Sequence, residues 1–142
     1  MIKDVIIDIK SSQDVDGEVS SIEFTTEGRY GLNGSEYFIA YAEGELFDTD
    51  EEVQTKIFIK SDNSVILQRK GSIKSRILIE KDKRNSSLYS LPYGQMTIGV
   101  FGENLEFNLN ENGGSIKLVY TIDQELSLLS RNTVNITIRE VK

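Results

Sequence analysis

The sequence contains no cysteine, no histidine and no tryptophan, and only one proline. Without histidine or cysteine, the chain cannot form a Ser-His-Asp triad, a cysteine nucleophile, a zinc site with thiolate or imidazole ligands, or a thiol redox switch. The lack of cysteine also gives no sign of an oxidising compartment. Because these absences remove most common enzyme chemistry, we expect no catalytic residue, no metal and no cofactor.

Basic residues are few relative to acidic ones. Lysine and arginine total 16 against 23 aspartate and glutamate residues, which gives a formal net charge of -7 at pH 7. This charge repels phosphate backbones and anionic lipid surfaces, so neither a nucleic acid nor a membrane is an expected partner. One local basic stretch has no interleaved aromatic residues for base stacking, and we interpret it as solvated charge on the outer face of a hairpin. It consists of Lys70, Lys74, Arg76, Lys81, Lys83 and Arg84.

Long apolar runs are also missing. No uncharged apolar run approaches the roughly 18 residues of a membrane-spanning helix, and the N-terminal segment interrupts its apolar residues with charge, unlike a signal peptide. We therefore expect a cytoplasmic protein that is a monomer or a weak homodimer. At 142 residues, without repeats or changes in composition, the chain has the size of one domain that buries its own core.

What the sequence does contain is an alternation of apolar residues with period two, which continues from end to end. This pattern is typical of strands with one buried face, and β-branched residues dominate it; about ten strands fit. The clearest rows are Val5-Ile7-Ile9, Tyr37-Ile39-Tyr41, Ile57-Ile59, Met96-Ile98-Val100, Leu105-Phe107-Leu109, Ile116-Leu118-Tyr120-Ile122 and Val134-Ile136-Ile138.

Turn-forming residues separate these rows and predict hairpins between consecutive strands. One segment, residues 123–131, is compatible with a helical turn, although its apolar spacing is too short to support more. The predicted turns are Asp16-Gly17, Asn33-Gly34, Asp62-Asn63, Gly102-Glu103-Asn104 and Asn112-Gly113-Gly114.

Short antiparallel strands with local connections leave two architectures, a sandwich and a barrel. A barrel is favoured because a meander needs no long crossovers. Closure also removes the edges that strands rich in isoleucine and valine would expose to aggregation. We predict an all-β fold in which residues 1–142 form a single closed or nearly closed antiparallel β-barrel of about 8–10 strands.

Five segments carry a resemblance that spans nearly the whole chain. They read IEFTTEGRY at residues 22–30, YFIAYAE at 37–43, LQRKG at 67–71, YG at 93–94 and NITI at 135–138. In this order they resemble the YwiB-like family of small bacterial proteins, a domain of unknown function. One departure is Tyr93, where phenylalanine is expected. The resemblance implies a calycin-like or lipocalin-like β-barrel, and it implies no chemistry because the family has no established activity.

A register argument singles out Arg69. If residues 61–63 form a three-residue hairpin loop with Asn63 at positive φ, the apolar rows match across the hairpin and Thr55 faces Arg69. Alternation in the preceding strand sets Glu43 beside Thr55, which gives an inward row of Glu43, Thr55 and Arg69. A slip of one residue would instead turn Arg69 outward.

This row supports two interpretations. An inward Arg69 can bind the carboxylate of a fatty-acid-like or other anionic ligand through its two parallel donors. Alternatively, Arg69 pairs with Glu43 and closes one end of a filled barrel. The tyrosines likewise either line a pocket or belong to the core and rim. The candidate ligand-binding residues are Arg69, Glu43, Tyr41, Thr55, Tyr37 and Tyr120.

The acidic segment between residues 43 and 52 suggests two further hypotheses. Glu43 and Asp50 would serve as acid and base in a glycosidase-like enzyme, and residues 48–52 would bind calcium through oxygen ligands. Neither pattern is specific, so we interpret the segment as a solvated loop. We therefore predict a barrel without enzymatic activity that binds a small amphipathic or anionic ligand. The alternative is a filled barrel that acts as a protein-protein interaction module.

Overall fold

The computed structural model of the chain describes residues 2–42, 53–71, 74–91 and 93–141, in which all the regular elements are β-strands. The described residues include no helix with the length and apolar character needed to cross a membrane. The ten strands are β1 (Ile2–Val15), β2 (Glu18–Asn33), β3 (Glu36–Ala42), β4 (Gln54–Ile59), β5 (Val65–Lys70), β6 (Lys74–Ile79), β7 (Arg84–Leu91), β8 (Gly94–Asn110), β9 (Gly113–Gln124) and β10 (Ser127–Glu140).

The ten strands form one closed barrel. Each strand pairs antiparallel with its neighbours in sequence, and β1 also pairs with β10 from Val5↔Glu140 to Asp14↔Arg131. The order of the strands around the barrel is therefore a meander without crossovers. The predicted antiparallel barrel is confirmed, and the sandwich alternative is wrong. Closure gives each strand a partner on both sides, although β6 and β7 pair at only two positions, Lys74↔Ser90 and Ser75↔Tyr89.

Two local predictions are wrong. Residues Gly102-Glu103-Asn104, predicted as a turn, form a β-bulge within β8. Because a bulge bends a strand without reversing it, the two strands predicted on either side of this turn are the single strand β8. Residues 123–131 are not helical. They belong to the end of β9, which pairs with β8, and to the start of β10, which pairs with β1, and only Glu125-Leu126 between them form a turn. The other predicted turns are confirmed, with positive φ at Asp16, Gly17, Gly34, Asn63, Gly113 and Gly114.

The meander gives the barrel two different ends. The end with the β1–β2 turn at residues 16–17 and the β9–β10 turn at residues 125–126 is called the mouth end. The opposite end, with the turns at residues 34–35 and 111–112, is called the floor end. Because connections alternate between the ends, the chain enters and leaves the barrel at the floor end.

Inward side chains pack the barrel toward the floor end. Tyr30 is fully buried, its hydroxyl donates to the Asn110 carbonyl at 2.6 Å, and its ring stacks on Tyr37 with centroids 5.8 Å apart. Burial raises the pKa of Tyr30, so its hydroxyl stays a neutral donor. Each buried aliphatic side chain contributes about 1.5–3 kcal/mol. The aliphatic core includes Val5, Ile7, Ile39, Ile57, Ile59, Val65, Leu67, Ile79, Val100, Ile116, Leu118, Ile136 and Ile138.

On the outer face, one ion pair joins three strands. The Arg84 Nε and Nη2 atoms donate to the Asp123 carboxylate at 2.9 and 2.6 Å, and the guanidinium lies over Gly99 of the intervening strand β8. Asp123 also accepts a hydrogen bond from the Leu126 amide at 3.2 Å, which holds the β9–β10 turn. The hydrogen bonds from Arg84 are the largest cause of the lowered pKa of Asp123. The remaining members of the basic stretch are exposed, as expected.

We expect Asp123→Asn to lower the free energy of unfolding by about 1–2 kcal/mol, because the charged acceptor of two hydrogen bonds from Arg84 and one from Leu126 is lost while Arg84 keeps partial access to water. Urea denaturation at neutral pH measures this loss. Glu103→Gln is the matched control, since Glu103 pairs with Arg131 at 2.8 Å on a more exposed surface, and it should cost less than about 1 kcal/mol. Equal losses in the two variants would contradict this assignment.

The same ion pair predicts a dependence on pH. The pKa of Asp123 is lower in the folded than in the unfolded state, so its carboxylate stabilises the fold above the unfolded-state pKa. That stabilisation is lost as the pH falls through the folded-state pKa. The difference in unfolding free energy between wild type and Asp123→Asn should therefore be complete at neutral pH and shrink below about pH 4. A difference that stays constant across an acid titration followed by urea denaturation would refute this prediction.

Candidate functional site

A cavity of about 570 Å³ occupies the mouth end of the barrel. Inward positions there carry small polar side chains such as Ser11 and Ser20, whereas isoleucine and tyrosine occupy them at the floor end. Ten strands also form a wider ring than the eight that side chains just fill. The lining residues are Ile9, Ser11, Gln13, Val15, Ser20, Ile22, Phe24, Tyr41, Arg69, Ile77, Tyr89, Met96, Ile98, Tyr120, Ile122, Leu129, Ser130, Asn132 and Val134.

A row of inward residues on β3 to β7 crosses one side of this end of the barrel. Cross-strand pairing brings together Tyr41, Thr55, Arg69, Ser75 and Tyr89, in that order, and we call these five residues the Arg69 row. Directly opposed side chains in antiparallel strands have Cβ atoms about 4.5–5.5 Å apart. The row therefore places hydroxyl-bearing side chains on both sides of the guanidinium.

The β4–β5 turn sets the register of this row. Asn63 has a φ of 67°, and the Lys60 amide donates to the Ser64 carbonyl at 2.9 Å. The Asp62 carboxylate accepts hydrogen bonds from the Ser64 hydroxyl and amide, which lowers its pKa. The predicted pairing of Thr55 with Arg69 is confirmed. Arg69 is half-buried and lines the cavity, so the alternative of an outward side chain is wrong.

Ser75 is the member of the row with unused hydrogen-bonding capacity. Its side chain is buried, with 6% of the residue exposed, and its Oγ atom has no hydrogen-bond partner within the described part of the chain. Its neighbour Arg69, like Tyr41 and Thr55, already interacts with surrounding groups. A buried hydroxyl without a partner is unfavourable, and Ser75 is not among the described residues that line the cavity, so its Oγ is a buried polar atom beside the cavity and not part of the cavity surface.

Four of the predicted site residues lie at this end of the barrel. Arg69, Tyr41 and Tyr120 line the cavity, and Thr55 is fully buried beside Arg69. Tyr37 is not among the residues that line the mouth cavity. It faces inward on the same strand as Tyr41 but stacks on Tyr30 at the floor end, because alternation along a strand determines the face and not the depth.

The residue of β3 that lies beside Thr55 is not the one that the sequence predicts. The predicted placement of Glu43 beside Thr55 is wrong: Tyr41 holds that position, because the β3–β4 register pairs Tyr41 with Thr55 and Ala42 with Gln54. Glu43 itself lies outside the described residues. The acidic loop was expected to place Glu43 at this position, and the register of the flanking strands places Tyr41 there instead.

Opposite the Arg69 row lies a neutral polar surface that the sequence analysis missed. Gln13 Nε2 donates to Asn132 Oδ1 at 3.2 Å, and Asn132 Nδ2 donates to Ser130 Oγ at 3.0 Å. We call Gln13, Asn132 and Ser130 the amide wall. In the ring of ten strands, β10 is five places from β5, so Asn132 and Arg69 lie on opposite walls. Extending the inward alternation of β1 beyond Ile9 would have identified Gln13.

Apolar side chains separate these two polar surfaces. Ile9, Ile77 and Ile98 are buried and line the cavity. Phe24 also lines it and packs against the Tyr41 ring, with centroids 6.3 Å apart. The cavity therefore offers apolar surface between one charged and one neutral polar wall.

Arg69 is the only charged side chain among the described residues that line the cavity, and these include no carboxylate. The described ranges also contain no cluster of three or more acidic side chains able to hold a metal ion. The residues of the enzymatic and calcium hypotheses, Glu43, Asp50 and the segment 48–52, lie outside the described residues. The described lining therefore offers hydrogen-bonding groups and one cation.

Comparisons with known proteins agree with this barrel. The uncharacterised β-barrel protein YwiB of Bacillus subtilis (strain 168) is 21% identical over 117 residues, which cover 82% of this chain and 79% of YwiB. A crystal structure of the YwiB protein from Bacillus subtilis matches with a TM-score of 0.86 at 20% identity, covering 99% of this chain and 94% of that one. The two proteins therefore share a fold.

A family model that matches most of the sequence identifies the family of this chain. The model of a domain of unknown function, DUF1934, matches residues 7–136. Together with the likeness to YwiB, this match confirms the expected resemblance to the YwiB-like family, while the finer assignment to calycin-like barrels stays a prediction. The chain belongs to the DUF1934 family of domains of unknown function.

Proposed function

We propose that the barrel binds a small amphipathic anion in the mouth cavity and does not catalyse a reaction. The observation that supports this proposal is the position of Arg69, the only charged residue among the described lining residues, within a row of hydroxyl-bearing neighbours. Small-molecule sites are typically cavities of about 300–1,000 Å³ with mostly apolar walls and a few placed polar groups. The cavity here, at about 570 Å³, has this size and composition.

The two parts of such a ligand would bind to different surfaces. A carboxylate or phosphate accepts two parallel hydrogen bonds from a guanidinium, which makes arginine well suited to either group. The apolar part of the ligand would lie against Ile9, Ile77 and Ile98, and its burial contributes about 25 cal/mol for each Å² removed from water.

The alternative, a filled barrel that serves as a protein-protein interaction module, fits the interior less well because the described residues enclose a cavity at the mouth end. Its support is the exposure of apolar side chains at this end. Val19 is 67% exposed, Leu128 is 64% exposed and Leu126 is 79% exposed. The two functions differ in what they require of Arg69, because a module that binds through its outer surface has no use for an interior cation.

We expect Arg69→Gln to weaken the binding of dodecanoate by about 10–100-fold, because the charged donors to its carboxylate are lost. Isothermal titration calorimetry measures the affinity. Arg76→Gln is the matched control, since it makes the same change on the exposed face of β6, and its affinity should equal that of wild type.

Thermal unfolding of both variants separates binding from stability. If Arg69→Gln lowers the melting temperature but leaves the dodecanoate affinity unchanged, Arg69 closes the barrel instead of binding an anion. Wild-type protein that binds neither dodecanoate nor a shorter alkanoate would also refute the proposed function.

A further inference from the structure

The amide wall keeps hydrogen-bonding capacity at the cavity surface. Asn132 and Ser130 are 7% and 5% exposed, and both line the cavity. In the described chain, the Asn132 side chain accepts one hydrogen bond and donates one, and the Ser130 hydroxyl accepts one. A primary amide offers two donors, and a hydroxyl offers one donor besides its acceptor sites. One amide hydrogen of Asn132 and the hydroxyl hydrogen of Ser130 therefore remain for a bound molecule.

A simple alkyl chain is a poor match for this surface. Packed against the amide wall, it would displace water from Asn132 and Ser130 without replacing the hydrogen bonds that water makes. A ligand hydroxyl or amide in the same place restores them. Sites built to hydrogen-bond a polar group discriminate strongly against analogues that lack it, because the buried groups of the site are then left unpaired.

The position of the amide wall adds a constraint on the ligand. Asn132 lies on β10 and Arg69 on β5, which are diametrically placed in the ring of ten strands. Ile77 and Ile98 line the cavity between these walls. A single headgroup at Arg69 therefore leaves the amide wall unused, whereas a molecule with polar groups at two separated positions satisfies both.

We propose that the ligand carries an anionic group bound by Arg69 and a second, neutral hydroxyl or amide group bound by Asn132, joined by an apolar segment. This inference rests on the proposed function and narrows the ligand class to hydroxylated or amide-bearing amphipathic anions, as distinct from simple fatty acids. Gln13 contributes to the same wall, because its amide donates to Asn132 Oδ1 and leaves the Asn132 nitrogen to act as the donor.

The experiment measures the affinities of the full chain for octanoate, decanoate and dodecanoate and for the ω-hydroxy analogue of each, by isothermal titration calorimetry. Wild-type protein should bind at least one ω-hydroxy acid about 5–10-fold more tightly than its parent acid, which is the effect of one added hydrogen bond. Asn132→Leu should lose this preference and bind the parent acid at least as well as wild type does.

Two more variants serve as controls. Asn135→Leu makes the same change at an exposed position of β10, so it should keep the wild-type preference. Gln13→Leu replaces an exposed member of the amide wall, and it should reduce the preference without disturbing the core. If Asn132→Leu does not fold, the affinities of Gln13→Leu test whether the amide wall causes the preference for the ω-hydroxy acid.

The outcomes separate this inference from the proposed function. Equal affinities of wild type for each ω-hydroxy acid and its parent would overturn the two-group ligand and leave anion binding at Arg69 intact. A preference that survives in both Asn132→Leu and Gln13→Leu would overturn the assignment to the amide wall. Absence of binding to every acid would overturn the proposed function, and this inference with it.

Discussion

The pairing of β1 with β10 is the constraint on which the rest of the structure depends. It closes the meander and gives β1 and β10 their second partners. Because successive side chains of a strand point to opposite faces, closure turns one face of each strand toward a common interior. A ring of ten strands is wide enough that the size of its inward side chains decides whether it is packed or hollow. Isoleucine and tyrosine pack the floor end, and serine and glutamine leave the mouth end open.

The described cavity lining carries one positive charge, whereas the whole chain has a negative net charge. With a net charge of -7, the protein repels anions at a distance, so long-range attraction does not bring an anionic ligand to the mouth. Under the proposed function, binding would therefore depend on local groups, which are the Arg69 guanidinium and the apolar surface around it. These groups act where water is partly excluded, which strengthens each hydrogen bond relative to the same contact on the outer surface.

Much of the fold was predictable because alternation, turn residues and register are local. The pairing of Thr55 with Arg69 followed from the positive φ of Asn63. The failures have physical reasons. Gly102 resembles a turn residue, but it belongs to a bulge where the Glu80 carbonyl approaches so closely that a Cβ atom would clash. Tyr37 and Tyr41 share a strand and a face, yet only the closed barrel shows that they lie at different depths.

The sequence by itself determined most of the strands, the inward face of their apolar rows and four of the five predicted turns, since each of these depends on neighbours within a few positions. Only the tertiary structure decided that the described residues pack one end of the barrel and leave a cavity at the other. It also decided that Arg69 on β5 lies across the cavity from Asn132 on β10. These residues are far apart in the chain, and closure of the ring is the interaction that places them on opposite walls of one cavity.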